Sequence, residues 1–251
     1  MSNTIDNLLH EERRFPPTDE FAAQAVAGAE LYEQAAADRL GFWADQARGL
    51  LHWHKPFTRT LDWSNAPFAK WFDDGELNVA YNCLDRHVLA GNGDRVAIHW
   101  EGEPGDSRSI TYGELTAEVK RAANLFTSLG IHAGDRVAIY LPMIPEAVIA
   151  MLAVARIGAV HSVVFGGFSA ESLRSRIDDA SAKLVITADG GWRKGKVFPL
   201  KSAVDAALAA GETTVENVLV VKRGGNDVEW TEGRDLYHRR GREASQRAAR
   251  D

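Results

Sequence analysis

The stretch from Asp189 to Phe198 reads DGGWRKGKVF. Gly190, Gly195 and Lys196 stand at the spacing G-x-x-x-x-G-K, the pattern in which a glycine-rich backbone cradles phosphates and the Lys reaches them. A Ser or Thr should follow to hold Mg²⁺ through its hydroxyl, and Val197 stands there instead. The Lys should also run straight into a helix. Here Val197 and Phe198 intervene before Pro199, which suits the first turn of a helix ending near Ala210. The nucleotide P-loop reading therefore fails twice. What remains is a phosphate clamp or a plain solvated turn. Arg193, Lys194 and Lys196 supply the cations. Arg grips a phosphate through two parallel N–H groups, and Lys acts as a point charge. A second glycine loop, Phe165-Gly166-Gly167-Phe168, follows the apolar run HSVVF. Both loops lie beyond the carboxyl end of a strand, the edge at which open parallel sheets bind ligands. Glycines there let a ligand approach the backbone.

Other residues with chemical potential carry less. His161 has no evident carboxylate partner and reads as a structural, hydrogen-bonded histidine. Asp73-Asp74 and Asp178-Asp179 are adjacent pairs whose side chains diverge, so solvated surface is the reading. His52 and His54 alternate about Trp53 on an extended segment with no third ligand in view, which favours packing over a metal. The single Cys83 excludes an intrachain disulfide and reads as structural. No residue is assigned a catalytic role, and no metal site is assigned.

The elements that must position the two loops come from periodicity. Residues 1–19 read as a flexible N-terminus. A helical stretch follows, roughly Glu20 to Leu51, then an irregular Trp-rich segment to about Phe72, of the kind that packs against another domain. A helix-like run spans Val79 to Leu89. From Asp94 strands alternate with helices: a strand at Val96–Ile98; a capping box Thr111-Tyr112-Gly113-Glu114 opening a helix closed by Gly130; a strand at Arg136–Leu141; an apolar helix from Pro145; a strand at Val160–Phe165; a helix capped by Ser169; and strands at Leu184–Thr187 and Val218–Val221. That order predicts an α/β chain: a helical, Trp-rich N-terminal region, then an incomplete, mostly parallel doubly wound sheet with helices on both faces. The hexapeptide GDRVAI occurs at Gly93 and again at Gly134, and reads as a repeated strand entry.

Bulk numbers narrow the function classes. The 251 residues suffice for one or two domains. A formal net charge of −6 argues against a nucleic-acid binder, so any anion site is a local patch. No secretory signal is visible, and the longest apolar run, Ala147 to Ala155, is too short for a bilayer, which predicts a cytoplasmic location. The end, HRRGREASQRAARD, is Arg- and Ala-rich without an apolar stripe.

Several runs carry a resemblance: FWADQARGLLHWHKPFTRTLDWS, AYNCLDRHVLAGNGDRVAIHWEGE, ITYGEL, YLPMIPEAVIAMLAVARIGAVHSVVFGGFS and LVITADGGWRKGKVFPLK. Together they resemble the acetyl/propionyl-CoA synthetase branch of the adenylate-forming, AMP-binding family, from about residue 20 to Tyr237. AVHSVVFGGFS with the downstream R-x-G-basic-x-x-P-L-K is specific to that branch. The resemblance implies an N-terminal region over 20–80, the first part of an AMP-binding domain over 85–237, and an atypical basic tail over 238–251. It implies an AMP-forming ligase that makes an acyl-adenylate from a carboxylate such as acetate and ATP, releasing pyrophosphate, after which the thiol of coenzyme A attacks. Acetate, ATP and CoA are the implied partners, with Mg²⁺. Oligomeric state is left open. By the resemblance, Arg193 and Lys196 hold the CoA phosphates with Lys194 and Gly195 between them, and Phe165, Gly166 and Gly167 line the nucleotide end. Lys stands at 196 where Arg is commoner, so the bidentate fork is lost there. The Ser/Thr/Gly-rich ATP loop and the C-terminal catalytic Lys have no counterpart here. The ATP and Mg²⁺ sites are therefore expected outside this chain, and the chain alone is expected to be inactive. A non-catalytic CoA-binding or interaction fragment, and a propionate-preferring ligase, are the alternatives.

Overall fold

A computed structural model describes residues 13–238. Most of the N-terminus read as flexible, and all but the first residue of the tail read as atypical, lie outside the described residues. The chain divides into two compact units, residues 1–51 with 57–74, and residues 52–56 with 75–251.

In the first unit the expected long helix is three: α1 (Asp19–Ala23), α2 (Ala29–Ala37) and α3 (Arg39–Leu50). Capping sets the first start and the second break: Thr18 Oγ1 accepts from the Phe21 N–H at 3.3 Å to open α1, and Asp38 Oδ1 accepts from the Gly41 N–H at 2.9 Å to open α3, while α2 starts after Gly28 without a side-chain cap. Each satisfies a helix-start donor that would otherwise be open. A Cβ on Gly41 would stand 2.2 Å from the Asp38 carboxylate, so the cap needs glycine. The Trp-rich segment forms a two-stranded antiparallel ribbon, β1 (Leu61–Asp62) and β2 (Lys70–Trp71). Phe57 is buried against Phe72, with ring centroids 4.6 Å apart. The Asp73-Asp74 pair is more engaged than surface would be. Asp73 bridges Arg59 at 2.9 Å, and Asp74 accepts from the Thr58 N–H at 2.9 Å and from the Thr58 hydroxyl. The Thr58 hydroxyl is the main cause that holds the Asp74 carboxyl down to about 2.

In the second unit the helix-like run carries two π-type turns, Tyr81–Asp85 and Val88–Asn92. The strand at Val96 does not join the parallel sheet. It is β3 (Val96–Glu101), paired antiparallel with β4 (Ser107–Thr111), a strand the sequence reading missed. The capping box is present: Glu114 N–H donates to Thr111 Oγ1 and Thr111 N–H donates to Glu114 Oε2 at 2.9 Å, opening α4 (Tyr112–Ser128). At its end Gly130 has φ +80°, and the N–H groups of Gly130 and Ile131 return to the carbonyls of Thr127 and Phe126. Only glycine takes that conformation freely.

Next come β5 (Arg136–Tyr140), α5 (Pro145–Arg156), β6 (Val160–Val163), α6 (Ala170–Ala180), β7 (Leu184–Ala188), an antiparallel pair β8 (Gly190–Arg193) and β9 (Lys196–Pro199), α7 (Lys201–Ala209), β10 (Asn217–Val221) and β11 (Asp235–Tyr237). Five strands form one parallel sheet in the order β11-β10-β7-β5-β6. Helices α4 and α5 pack on each other, as do α6 and α7, so each pair covers part of a sheet face. The middle strand β7 is buried at every position, as expected of an apolar run covered on both faces. The edge strand β6 leaves Val160 and Val163 more than half exposed. The two GDRVAI copies enter different structures, the first the β3–β4 hairpin and the second the parallel sheet. Pro199 ends β9, and the helix starts later, at Lys201. No helix among the described residues is long and apolar enough to cross a membrane.

Candidate functional site

The strand order creates one switch point. From β5 the chain moves outward to β6, then returns past β5 to β7 on its other side. The connections diverge there, leaving a crevice at the carboxyl ends of β5 and β7. Three segments meet at it: Leu141 to Ile144 after β5, the glycine loop after β6, and the β8–β9 hairpin after β7. They line one cavity of about 270 Å³.

Asp189 organises this edge. Its buried carboxylate accepts the N–H groups of Gly190, Arg223 and Gly224 at 2.7 Å each on Oδ1, and of Gly225 at 2.9 Å on Oδ2. One anion thus fixes both the start of the hairpin and the turn after β10. Gly190 and Gly191 are glycines for packing reasons. A Cβ on Gly190 would lie 2.9 Å from the Phe198 carbonyl oxygen, and one on Gly191 would meet the Phe198 ring at 2.8 Å.

The DGGWRKGKVF segment is therefore a β-hairpin, with Arg193 directly opposite Lys196. Its two-residue turn has positive φ at both positions, +54° for Lys194 and +72° for Gly195, as a type I′ turn requires. The sequence alone gives a glycine- and cation-rich loop here, without the paired strands. The Lys at 194, where Asn is usual, hides the hairpin signal. A P-loop Lys precedes a helix, and this Lys196 begins a strand.

The structure brings Arg193, Phe165, Gly166 and Gly167 together on the cavity wall. Arg193 Nη1 lies 3.4 Å from where a Cβ on Gly167 would stand. Lys194, Gly195 and Lys196 are exposed at the hairpin tip and do not line the cavity. Among the described residues, Arg193, Lys194 and Lys196 form no ion pair, so three cations cluster at the tip.

Several site residues escaped the sequence reading. The Tyr140 hydroxyl, at the end of β5, donates to the carbonyls of Phe168 at 2.8 Å and Gly166 at 3.2 Å, pinning the glycine loop. Burial raises its pKa above the usual phenol value. Trp100 donates its indole N–H to the Met143 carbonyl at 2.8 Å, and the Arg223 guanidinium stacks 4.9 Å above the Trp100 ring while pairing with Asp106. Glu103, in the β3–β4 turn, accepts the Gly195 N–H at 2.5 Å. Only a strand-end position and the D of DGG mark these residues in the sequence.

A second cavity, of about 390 Å³, is lined by His52, His54, Asn78, Tyr81 and Arg156. Its cation is already paired: Arg156 meets Asp85 at 2.6 and 3.0 Å, and Lys120 meets the same carboxylate at 3.3 Å. Arg156 is the main reason the Asp85 carboxyl stays below its ordinary value. The buried Asn82 amide clasps the His52 backbone, accepting its N–H at 2.8 Å and donating to its carbonyl at 2.9 Å. His161 is exposed on the edge strand, and Asp178 pairs with Arg174 at 2.5 Å. No cluster of three or more His, Cys, Asp or Glu side chains suited to a metal exists among the described residues.

Comparison with known proteins gives concordant matches. A family profile described as AMP-binding enzyme matches residues 84–249, and one described as acetyl-coenzyme A synthetase N-terminus matches residues 29–83. Over 238 residues, 94% of this chain, the sequence is 68% identical to a protein of Streptomyces avermitilis named acetyl-coenzyme A synthetase. It is 65% identical over 238 residues to one so named in Streptomyces coelicolor, and 56% over 239 residues to one in Thiobacillus denitrificans. The chain spans 36% of the length of each of these three relatives.

Proposed function

The chain belongs to the AMP-binding enzyme family, and on that premise we propose that it is the N-terminal part of an AMP-forming acetate–CoA ligase whose switch-point edge receives the 3′-phosphoadenosine end of coenzyme A. The whole enzyme would join acetate to ATP, release pyrophosphate, and pass the acetyl group from AMP to the CoA thiol. Mg²⁺ would accompany the ATP.

One observation carries the assignment: Arg193, the hairpin cation that reaches the cavity, stands beside the glycine loop at the switch point. The cavity supports it. Phe165 and Trp192 offer apolar ring faces, and Arg193 offers a fork for phosphate. Lys196 adds charge from the facing strand without a fork. Gly166 and Gly167 let a ligand approach the backbone. Tyr140 holds that loop in place from beneath.

Calorimetric titration with CoA tests the reading. Arg193→Ala should weaken binding by roughly 1.5–3 kcal/mol, the range of a hydrogen bond to a charged group. Lys196→Ala should cost less, because an exposed ammonium keeps its hydration. Both losses should shrink with dephospho-CoA, which lacks the 3′-phosphate. Unchanged CoA affinity in Arg193→Ala would remove the assignment.

A further inference from the structure

We propose that Glu103 is a built-in competitor for the anion that the hairpin tip binds: its carboxylate occupies the Gly195 N–H until a phosphate displaces it. This rests on the reading that the tip takes a phosphate of CoA.

The turn of a type I′ hairpin points backbone N–H groups outward, and here the Gly195 N–H is already engaged by Glu103 at 2.5 Å. The donor has one hydrogen, so a phosphate that takes it must evict the carboxylate. The Glu103 carboxylate thus sits on the turn that carries Lys194 and is flanked by Arg193 and Lys196. It lines the same cavity as Arg193, and among the described residues it forms no ion pair. Its position is fixed from behind. Asp106, three residues on, pairs with Arg223, and Gly102 N–H donates to the Asp106 carbonyl at 2.7 Å. A Cβ on Gly102 would stand 2.1 Å from Asp106 Oδ1 and 2.5 Å from Arg223 Nη2, so the Asp106–Arg223 pair lies directly over this glycine. Arg223 in turn stacks on Trp100, whose indole is tied to the segment after β5. The turn that presents Glu103 is thereby braced, and the Gly195 N–H holds its carboxylate.

Two roles fit a carboxylate on that amide, and they differ in sign. A brace that shapes the tip for its ligand would make the ligand bind worse when removed. A competitor would make it bind better. The charge decides for the competitor. A fixed negative group facing a dianionic phosphate repels it through solvent, worth a several-fold change in affinity at contact range and less in salt.

The test is calorimetric titration of the full chain with CoA and with dephospho-CoA, using wild type, Glu103→Gln, Glu103→Ala and Arg193→Ala. Glu103→Gln, which keeps an acceptor but loses the charge, should bind CoA ~3- to 10-fold tighter. Glu103→Ala should do the same. The gain should vanish with dephospho-CoA and shrink in ~0.5 M salt, where the Debye length is only a few Å. Circular dichroism of the variants checks that this exposed position leaves the fold intact. Unchanged or weaker CoA binding in Glu103→Gln, with Arg193→Ala still weakened, overturns the proposal and leaves the phosphate reading standing. Failure of Arg193→Ala to weaken CoA, or no CoA binding by wild type, removes both.

Discussion

Lys201 Nζ lies 2.8 Å from Asp235 Oδ2, and neither side chain reaches solvent. The pair belongs to a closed square of charges. Lys201 also meets Asp205 at 2.7 Å, and Arg234 meets Asp205 and Asp235 at 2.6 Å each. Helix α7 is thereby fastened to the edge strand β11. Lys201→Ala removes one of the two cations on the buried Asp235 carboxylate and leaves Arg234 as the other, so it should cost up to ~3–5 kcal/mol. Lys201→Met combined with Asp235→Leu should cost less than the two single changes summed. Burial pushes the Asp235 carboxyl up, but Arg234, Lys201 and the Thr231 N–H outweigh it and leave it below the ordinary value. A depressed carboxyl pKa stabilises above the unfolded value near ~3.9 and loses that contribution as pH falls through the folded value. Urea denaturation at pH 7 and at steps down to pH 3 reads both effects. A double variant that costs as much as the two single changes summed would break the argument.

Asp189→Asn tests the carboxylate at the switch point. The amide keeps one acceptor oxygen and turns an N–H₂ toward the donors that remain, so charge-assisted bonds are lost and a clash is gained. The expected cost is ~2–4 kcal/mol, from at least one lost charged hydrogen bond and one unsatisfied donor. Hydrogen exchange of the Gly190, Arg223, Gly224 and Gly225 amides should accelerate more than that of the β5 amides. Uniform acceleration would mean that Asp189 serves the sheet as a whole.

Tyr140→Phe leaves the Gly166 and Phe168 carbonyls without their donor. A cost of about 1–2 kcal/mol is expected. The raised phenol pKa gives the sign with pH: the contribution is whole below the unfolded value of about 10 and fades as pH rises through the folded value. Wild type and Tyr140→Phe should therefore converge in stability between pH 9 and the alkaline limit of folding. A constant difference across that range would assign the effect to packing alone.

Lys194 holds φ +54° without being glycine. Asn tolerates that region better, so Lys194→Asn should stabilise the chain by roughly 0.5–1 kcal/mol. Thermal denaturation measures it, with the neighbouring Lys196→Asn as the control that should gain nothing. A loss of stability in Lys194→Asn would show that the Lys stem packs in a way that outweighs its backbone.

What was legible in the sequence was whatever satisfies itself locally. Thr111 and Glu114 cap a helix they also begin, Gly130 ends it, and Ser169 caps the next, so each announces itself within a few residues. The parallel sheet followed from apolar runs whose both faces must be covered. Asp189 and Tyr140 were not legible as anchors, because all their partners but the adjacent Gly190 N–H are backbone atoms more than twenty residues away that any residue type supplies. Strand β4 was missed because SRSIT is mostly polar and acquires its strand identity from β3 across the turn. The single long helix failed at Asp38, where a capping side chain outweighs a helical stretch on both sides. Lys201 is the sharpest departure. A Lys in a helix reads as surface, and this one is sealed by two carboxylates that periodicity cannot foresee.

The β8–β9 hairpin leaves and rejoins the fold at almost one point. Leu200 N–H donates to the Asp189 carbonyl at 3.2 Å, and Gly190 pairs with Pro199, so residues 190–199 form a closed excursion from the end of β7 to the start of α7. Such an excursion is a replaceable cartridge. Its tip is free to lengthen, shorten or change charge over evolutionary time without moving a strand of the sheet, because the register of β7 is set by β5 and β10. A change at the tip would therefore alter the charge displayed at this edge while the Asp189–Leu200 closure holds the socket in place.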